Sequence, residues 1–189
     1  MPAETFPIPG FERIGLRVIS GVVTARDRGG MIVTGRRAEP RWAGSFTTDK
    51  LTRDDWADLV ALLDDCVDRN LRVDFIHPLF KVPRSYTLDT WPLAADPVLV
   101  AVTDRRHIVV SDLTVGLVLK RGDRLTLIQD ELRCYRKIAV DTVVTSAIAQ
   151  TLQLTPRIPA GLFAAGSIVR FKYPPIRLAI VPDSYQAEE

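Results

Sequence analysis

Hydrophobic positions recur in two periods along this chain, and the periods fall in different places. Over most of the length the apolar residues alternate or form short β-branched runs, the signature of strands. "RIGLRVISGVVTAR" followed by "GGMIVTG" predicts a hairpin over residues 13–35, turning near Asp27–Gly30. "RWAGSFTT" sets Trp42, Gly44 and Phe46 against small or polar neighbours, which predicts a half-buried strand. "LRVDFIHP" alternates again, with Leu71, Val73 and Phe75 on one side.

Between the last two strands the period changes. Trp56, Leu59, Val60, Leu63, Cys66 and Val67 recur at spacings of three and four, which places them on one stripe of a helix over about 52–69. Thr52 suits the N-cap, and Asp55 stands three residues on as a shortened capping box. Asp54 and Asp55 in the first turn favour the positive end of the helix dipole. Asn70 suits a left-handed close at the other end. An isolated amphipathic helix in a β chain is expected to cover a sheet with its apolar stripe.

After residue 78 comes a long loop punctuated by Pro78, Pro83, Pro92 and Pro97 and carrying Phe80, Tyr86 and Trp91. Loops of that length are commonly binding or interface segments. The remainder reads as short strands. One turn falls at Asp104–Arg105, and another at Gly122–Asp123, where the tripeptide Arg121–Asp123 reads as a β-turn rather than a displayed ligand. The resulting fold class is mainly β with one flanking amphipathic helix. Residues 1–12 are expected to form an extended arm, 13–182 a single β-rich domain, and 183–189 a frayed tail.

Composition changes this picture little, but it removes function classes. A net charge of +2, with basic residues interleaved among acids, does not argue for nucleic acid. The two cysteines, Cys66 and Cys134, lie in different elements and form no CxxC, so no disulfide framework is expected. No apolar run reaches membrane-spanning length. His77 and His107 stand apart, with no HxH or HExxH spacing, which offers no metal centre. No P-loop, GxGxxG or GxSxG is present. The adjacent pairs Asp54–Asp55 and Asp64–Asp65 point in different directions from a helix and suit a charged face better than shared-proton chemistry. The sequence thus predicts neither enzyme activity nor a cofactor.

The order of these parts resembles the distal tail proteins of bacteriophages. The likeness rests on an N-terminal hairpin, the Trp-bearing strand "RWAGSFTT", the helix "DDWADLVALLDD", and the strand "RVDFIHP" with its Pro loop. It extends through the Gly-Asp turn of "LKRGDRLTL" and the segment "LQLTPRIPAGLFAAGSIVRF", covering roughly residues 13–182. The resemblance implies a β-sandwich or tail-tube-like barrel. It also implies a homo-oligomeric ring, a hexamer, in the virion at the tail tip, joining the tail tube protein to the baseplate hub protein. The chain is too short for the large second domain that some members carry. Phe6, Phe11, Phe80, Tyr86, Trp91, Arg105 and Arg106 are the expected contacts between subunits. Two virion alternatives are a head–tail connector or tail-terminator ring and a small tail-associated hydrolase, for which Cys66 and His77 form the nearest nucleophile–base pair. A β-rich domain that binds a small ligand is a further alternative.

Overall fold

The computed structural model describes residues 4–5, 10–26 and 32–181, with side chains described at 10–19 and 38–181. It is mostly β, with one helix among the described residues. Two units emerge: residues 10–50, and residues 51–189 together with the first nine.

The smaller unit is one antiparallel ribbon. Strand β2 (Phe11–Arg26) pairs with β3 (Ile32–Thr48) from Phe11↔Thr48 to Arg26↔Ile32. The alternation around Trp42 is therefore the second half of a long hairpin rather than a separate strand. Register shifts near Phe11–Arg13 and across Ile19–Val22 let the strands continue through their irregular stretch. Pro40 falls between the paired residues Ala38 and Arg41, where a missing N–H costs no ladder bond. The predicted turn at residues 27–30 lies outside the described residues.

The larger unit is built around a closed six-stranded barrel. Its strands are β5 (Val98–Val102), β6 (His107–Ser111), β8 (Arg124–Gln129), β9 (Leu132–Ile138), β11 (Gln150–Thr155) and β12 (Ile168–Arg170), in the order β11-β6-β5-β12-β8-β9. Pairing of Leu154 with Ile138 closes the ring of strands. Leu99, Ile108, Val110, Leu125, Leu127, Leu152, Leu154 and Val169 are fully buried and fill the interior. A small pair, β7 (Val118–Leu119) with β10 (Thr142–Val143), adds Leu117, Leu119 and Val144 to the same core.

A second buried set lies outside that core. Strand β4 (Arg72–Ile76) is central in a three-stranded sheet, flanked by β1 (Glu4–Thr5) in parallel and β13 (Pro175–Ala179) in antiparallel. Part of the expected N-terminal arm is thus a strand of this sheet. Val73, Phe75 and Ile176 are buried there, as are Ile128 and Tyr135 of the barrel. The Thr126 hydroxyl donates to the Pro175 carbonyl at 2.8 Å and ties β13 to the barrel wall.

Helix α1 (Arg53–Asp68) begins where local chemistry places it. The Thr52 hydroxyl accepts from the Asp55 backbone N–H at 3.2 Å and donates to the Asp55 carboxylate at 2.6 Å. Leu59, Leu63 and Cys66 are buried, while Trp56, Val60 and Val67 are half-buried at the margins of the stripe. Asn70 closes the helix with φ +50°, and the Leu71 N–H donates to the Cys66 carbonyl at 2.8 Å, leading directly into β4.

Candidate interaction surfaces

The ribbon presents two unlike faces. Ile14 pairs with Phe46, Leu16 with Gly44, and Val18 with Trp42, so one face is apolar. The other carries Arg13, Gly15 and Arg17 opposite Thr47, Ser45 and Ala43. Gly44 has a packing reason. A Cβ there would come within 2.8 Å of the Phe46 ring and 2.9 Å of Leu16. Phe11 lies 5.8 Å from Phe46, ring to ring, and the Asp49 N–H to Gly10 carbonyl bond of 2.8 Å ties the ends of the strands together. At about 3.3 Å per residue, strands this long reach about 50 Å. Among the described residues no third strand joins either edge.

The Pro-rich loop is bound to its own barrel. Trp91 packs on the core beside Phe171, with ring centroids 6.2 Å apart, and Tyr86 meets Trp91 edge-on at 5.6 Å. The Tyr86 hydroxyl accepts from the Val118 N–H at 2.8 Å. Asp123 holds the loop from the other side. Its carboxylate is buried and accepts from the Arg84 N–H at 3.1 Å, the Arg84 Nε at 3.2 Å and the Lys120 N–H at 2.7 Å. The Arg84 terminal nitrogen also donates to the Arg121 carbonyl. The Arg121–Asp123 tripeptide is therefore a turn, with Gly122 at φ +95°, whose aspartate faces inward.

Phe80 belongs to a different cluster. Its ring lies 4.7 Å from His77 and carries the Arg124 guanidinium 4.5 Å above it. Arg124 pairs across the strands with Lys137, which sets like charges opposite one another. His77 is buried, and its Nδ1 accepts from the Leu79 N–H at 3.1 Å. That bond identifies the neutral ring, with its proton on Nε2. Burial, aided by the Arg124 charge, lowers its pKa. Burial pushes the Tyr135 hydroxyl up to about 12, against the opposing pull of Arg124.

Arg105 and Arg106 lie in the turn between β5 and β6. The Arg105 Nε donates to the Ile158 carbonyl at 3.3 Å, and the Arg106 side chain is exposed. Asp104 organises this turn by accepting from the Arg106 and His107 backbone N–H groups and pairing with His107 Nδ1 at 2.7 Å. Those hydrogen bonds, the Arg106 N–H first, lower the Asp104 pKa. Phe6 lies outside the described residues.

Among the described residues no group of three His, Cys, Asp or Glu side chains could hold a metal ion. Cys66 is buried in the helix stripe, and burial pushes the Cys134 thiol up to about 11. No helix is long and apolar enough to cross a membrane among the described residues.

Sequence pattern missed two features. Asp123 as the anchor of the Pro loop depends on Arg84, 39 residues away, and no local signal marks that pairing. The ion cluster on β4 and β13 is equally nonlocal. Asp74 accepts from Arg177 through Nε at 2.8 Å and Nη2 at 3.0 Å and lies 3.6 Å from Arg133, while Arg177 also pairs with Glu131 at 3.1 Å. No known protein family matches this sequence, and no curated protein matches it.

Proposed function

We propose that this protein is a structural, ring-forming component of a phage tail tip, in which the residue 10–50 ribbons of neighbouring copies pair edge to edge. The ribbon carries the reading. A two-stranded hairpin is marginal alone in water, and a long one with open edges invites further strands. Identical copies satisfy those edges by a head-to-tail contact, which closes into a ring when the rotation allows it. The apolar faces of the ribbons then form a continuous layer, and the barrel units remain separately folded. The resemblance to distal tail proteins supplies the location and the partners, a tail tube protein and a baseplate hub protein, and a ring of six.

The test is electron microscopy of the purified full chain beside a Trp42→Glu, Phe46→Glu double variant. The native chain is expected to show rings. The double variant is expected to show none while keeping the thermal transition of the barrel. Rings that persist in the variant would refute the ribbon as the joint.

A further inference from the structure

The larger unit holds an open cleft of about 360 Å³ lined by Asp74, Ile76, Asp96, Arg170, Lys172, Tyr173 and Pro175. Ring assembly leaves this cleft unexplained. Arg170, at the end of β12, is oriented there. Its Nε donates to the Asp96 carboxylate at 2.8 Å, and its two terminal nitrogens make no hydrogen bond to the protein among the described residues. A guanidinium held by Nε presents its remaining N–H groups as a fork that matches an oxyanion. Lys172 has no carboxylate within ion-pair distance among the described residues.

Tyr173 is the second, independent observation. It has φ +51°, a conformation that a bulky L residue rarely adopts. It also precedes Pro174, which restricts its backbone further. Its N–H is fixed to the Lys81 carbonyl at 2.6 Å. Strain of this kind concentrates at ligand-binding positions, and here the strained residue lines the cleft.

We infer that this cleft binds a phosphate ester bearing neighbouring hydroxyls, the size of a single sugar phosphate. Arg170, Lys172 and Tyr173 line the cleft together and can supply donors to the oxygens of a phosphate group. Asp96, which holds Arg170 through Oδ2, has its second oxygen to accept from a hydroxyl beside that anion, whereas Asp74 is already engaged by Arg177. Ile76 and Pro175 give an apolar surface for the carbon skeleton. The volume lies at the small end of ligand pockets, which fits one such unit rather than a polymer segment.

Isothermal titration calorimetry of the full chain in phosphate-free, low-salt buffer tests this with ribose 5-phosphate, ribose and inorganic phosphate. Ribose 5-phosphate is expected to bind once per chain, at least about tenfold tighter than either fragment. Arg170→Lys, which loses the fork, is expected to weaken it by about tenfold or more. Lys172→Met removes an exposed side chain that has no ion-pair partner among the described residues, and is expected to weaken it severalfold without touching the fold. Should Arg170→Lys fail to fold, Lys172→Met decides alone. No saturable binding at millimolar ligand, equal affinity for inorganic phosphate, or affinity unmoved by Lys172→Met would each overturn the proposal.

Discussion

Replacing Asp123 with Ala removes a buried carboxylate that three donors share. The Lys120 N–H at 2.7 Å and the Arg84 N–H at 3.1 Å lose a charged acceptor, and the Arg84 Nε at 3.2 Å loses its ion-pair partner. Hydrogen bonds to a charged group contribute about 1.5–3 kcal/mol each, and an unsatisfied buried donor costs about 1–3 kcal/mol. The guanidinium contributes least, because the Arg84 side chain is 57% exposed and solvent screens the pair. The two backbone bonds therefore dominate, and Asp123→Ala should lose about 3–5 kcal/mol. In a protein of this size each kcal/mol moves Tm by about 2–4 °C, so a drop of about 6–20 °C is expected in a thermal melt followed by tryptophan fluorescence. Arg84→Ala, which keeps both backbone bonds, should lose about 1 kcal/mol or less. Native-state proteolysis should find new cleavage between residues 78 and 97 in Asp123→Ala and none in Arg84→Ala. A loss below about 1 kcal/mol for Asp123→Ala, or equal losses in the two variants, would refute this reading of the loop anchor.

Three further outcomes are expected. His77 has a folded pKa below its ordinary 6.5, so the unfolded chain binds the extra proton first. Its contribution is complete above about pH 6.5 and declines as pH falls from there toward the lower folded value; His77→Asn should flatten that part of a Tm–pH curve, and an unchanged slope would be contrary. Leu63→Ala should cost about 2–3 kcal/mol by denaturant unfolding, because Leu63 is buried in the helix stripe, and a near-neutral result would place the stripe in solvent. Both cysteines are buried, so a thiol reagent should label neither Cys66 nor Cys134 in the native chain and both after unfolding, as read by mass spectrometry.

Local chemistry made some features legible and topology hid others. The helix showed in sequence because its cap, its stripe and its left-handed close are all determined within a few residues, from Thr52 to Asn70. The Gly-Asp turn was legible for the same reason. Barrel closure was not, since it depends on β9 meeting β11 across intervening chain, and alternation identifies strands without naming their partners. The hairpin was legible as far as residue 35; its continuation to Thr48 passes Pro40 and a register shift that look like an ending in sequence. Tyr86 and Trp91 stood out as aromatics in a loop, yet only the folded chain shows them resting on the barrel core. Nothing in the order of residues joins Arg170, Lys172 and Tyr173 to Asp74 and Asp96, which are some 75 to 100 positions earlier.

The proposed ring depends on the ribbons joining copies of the chain. Sedimentation equilibrium of the full chain over a wide concentration range tests it most directly. A discrete oligomer of ring size that dissociates with dilution and is lost in the Trp42→Glu, Phe46→Glu variant is the expected result. A monomer at every concentration, or an oligomer indifferent to that variant, would contradict it.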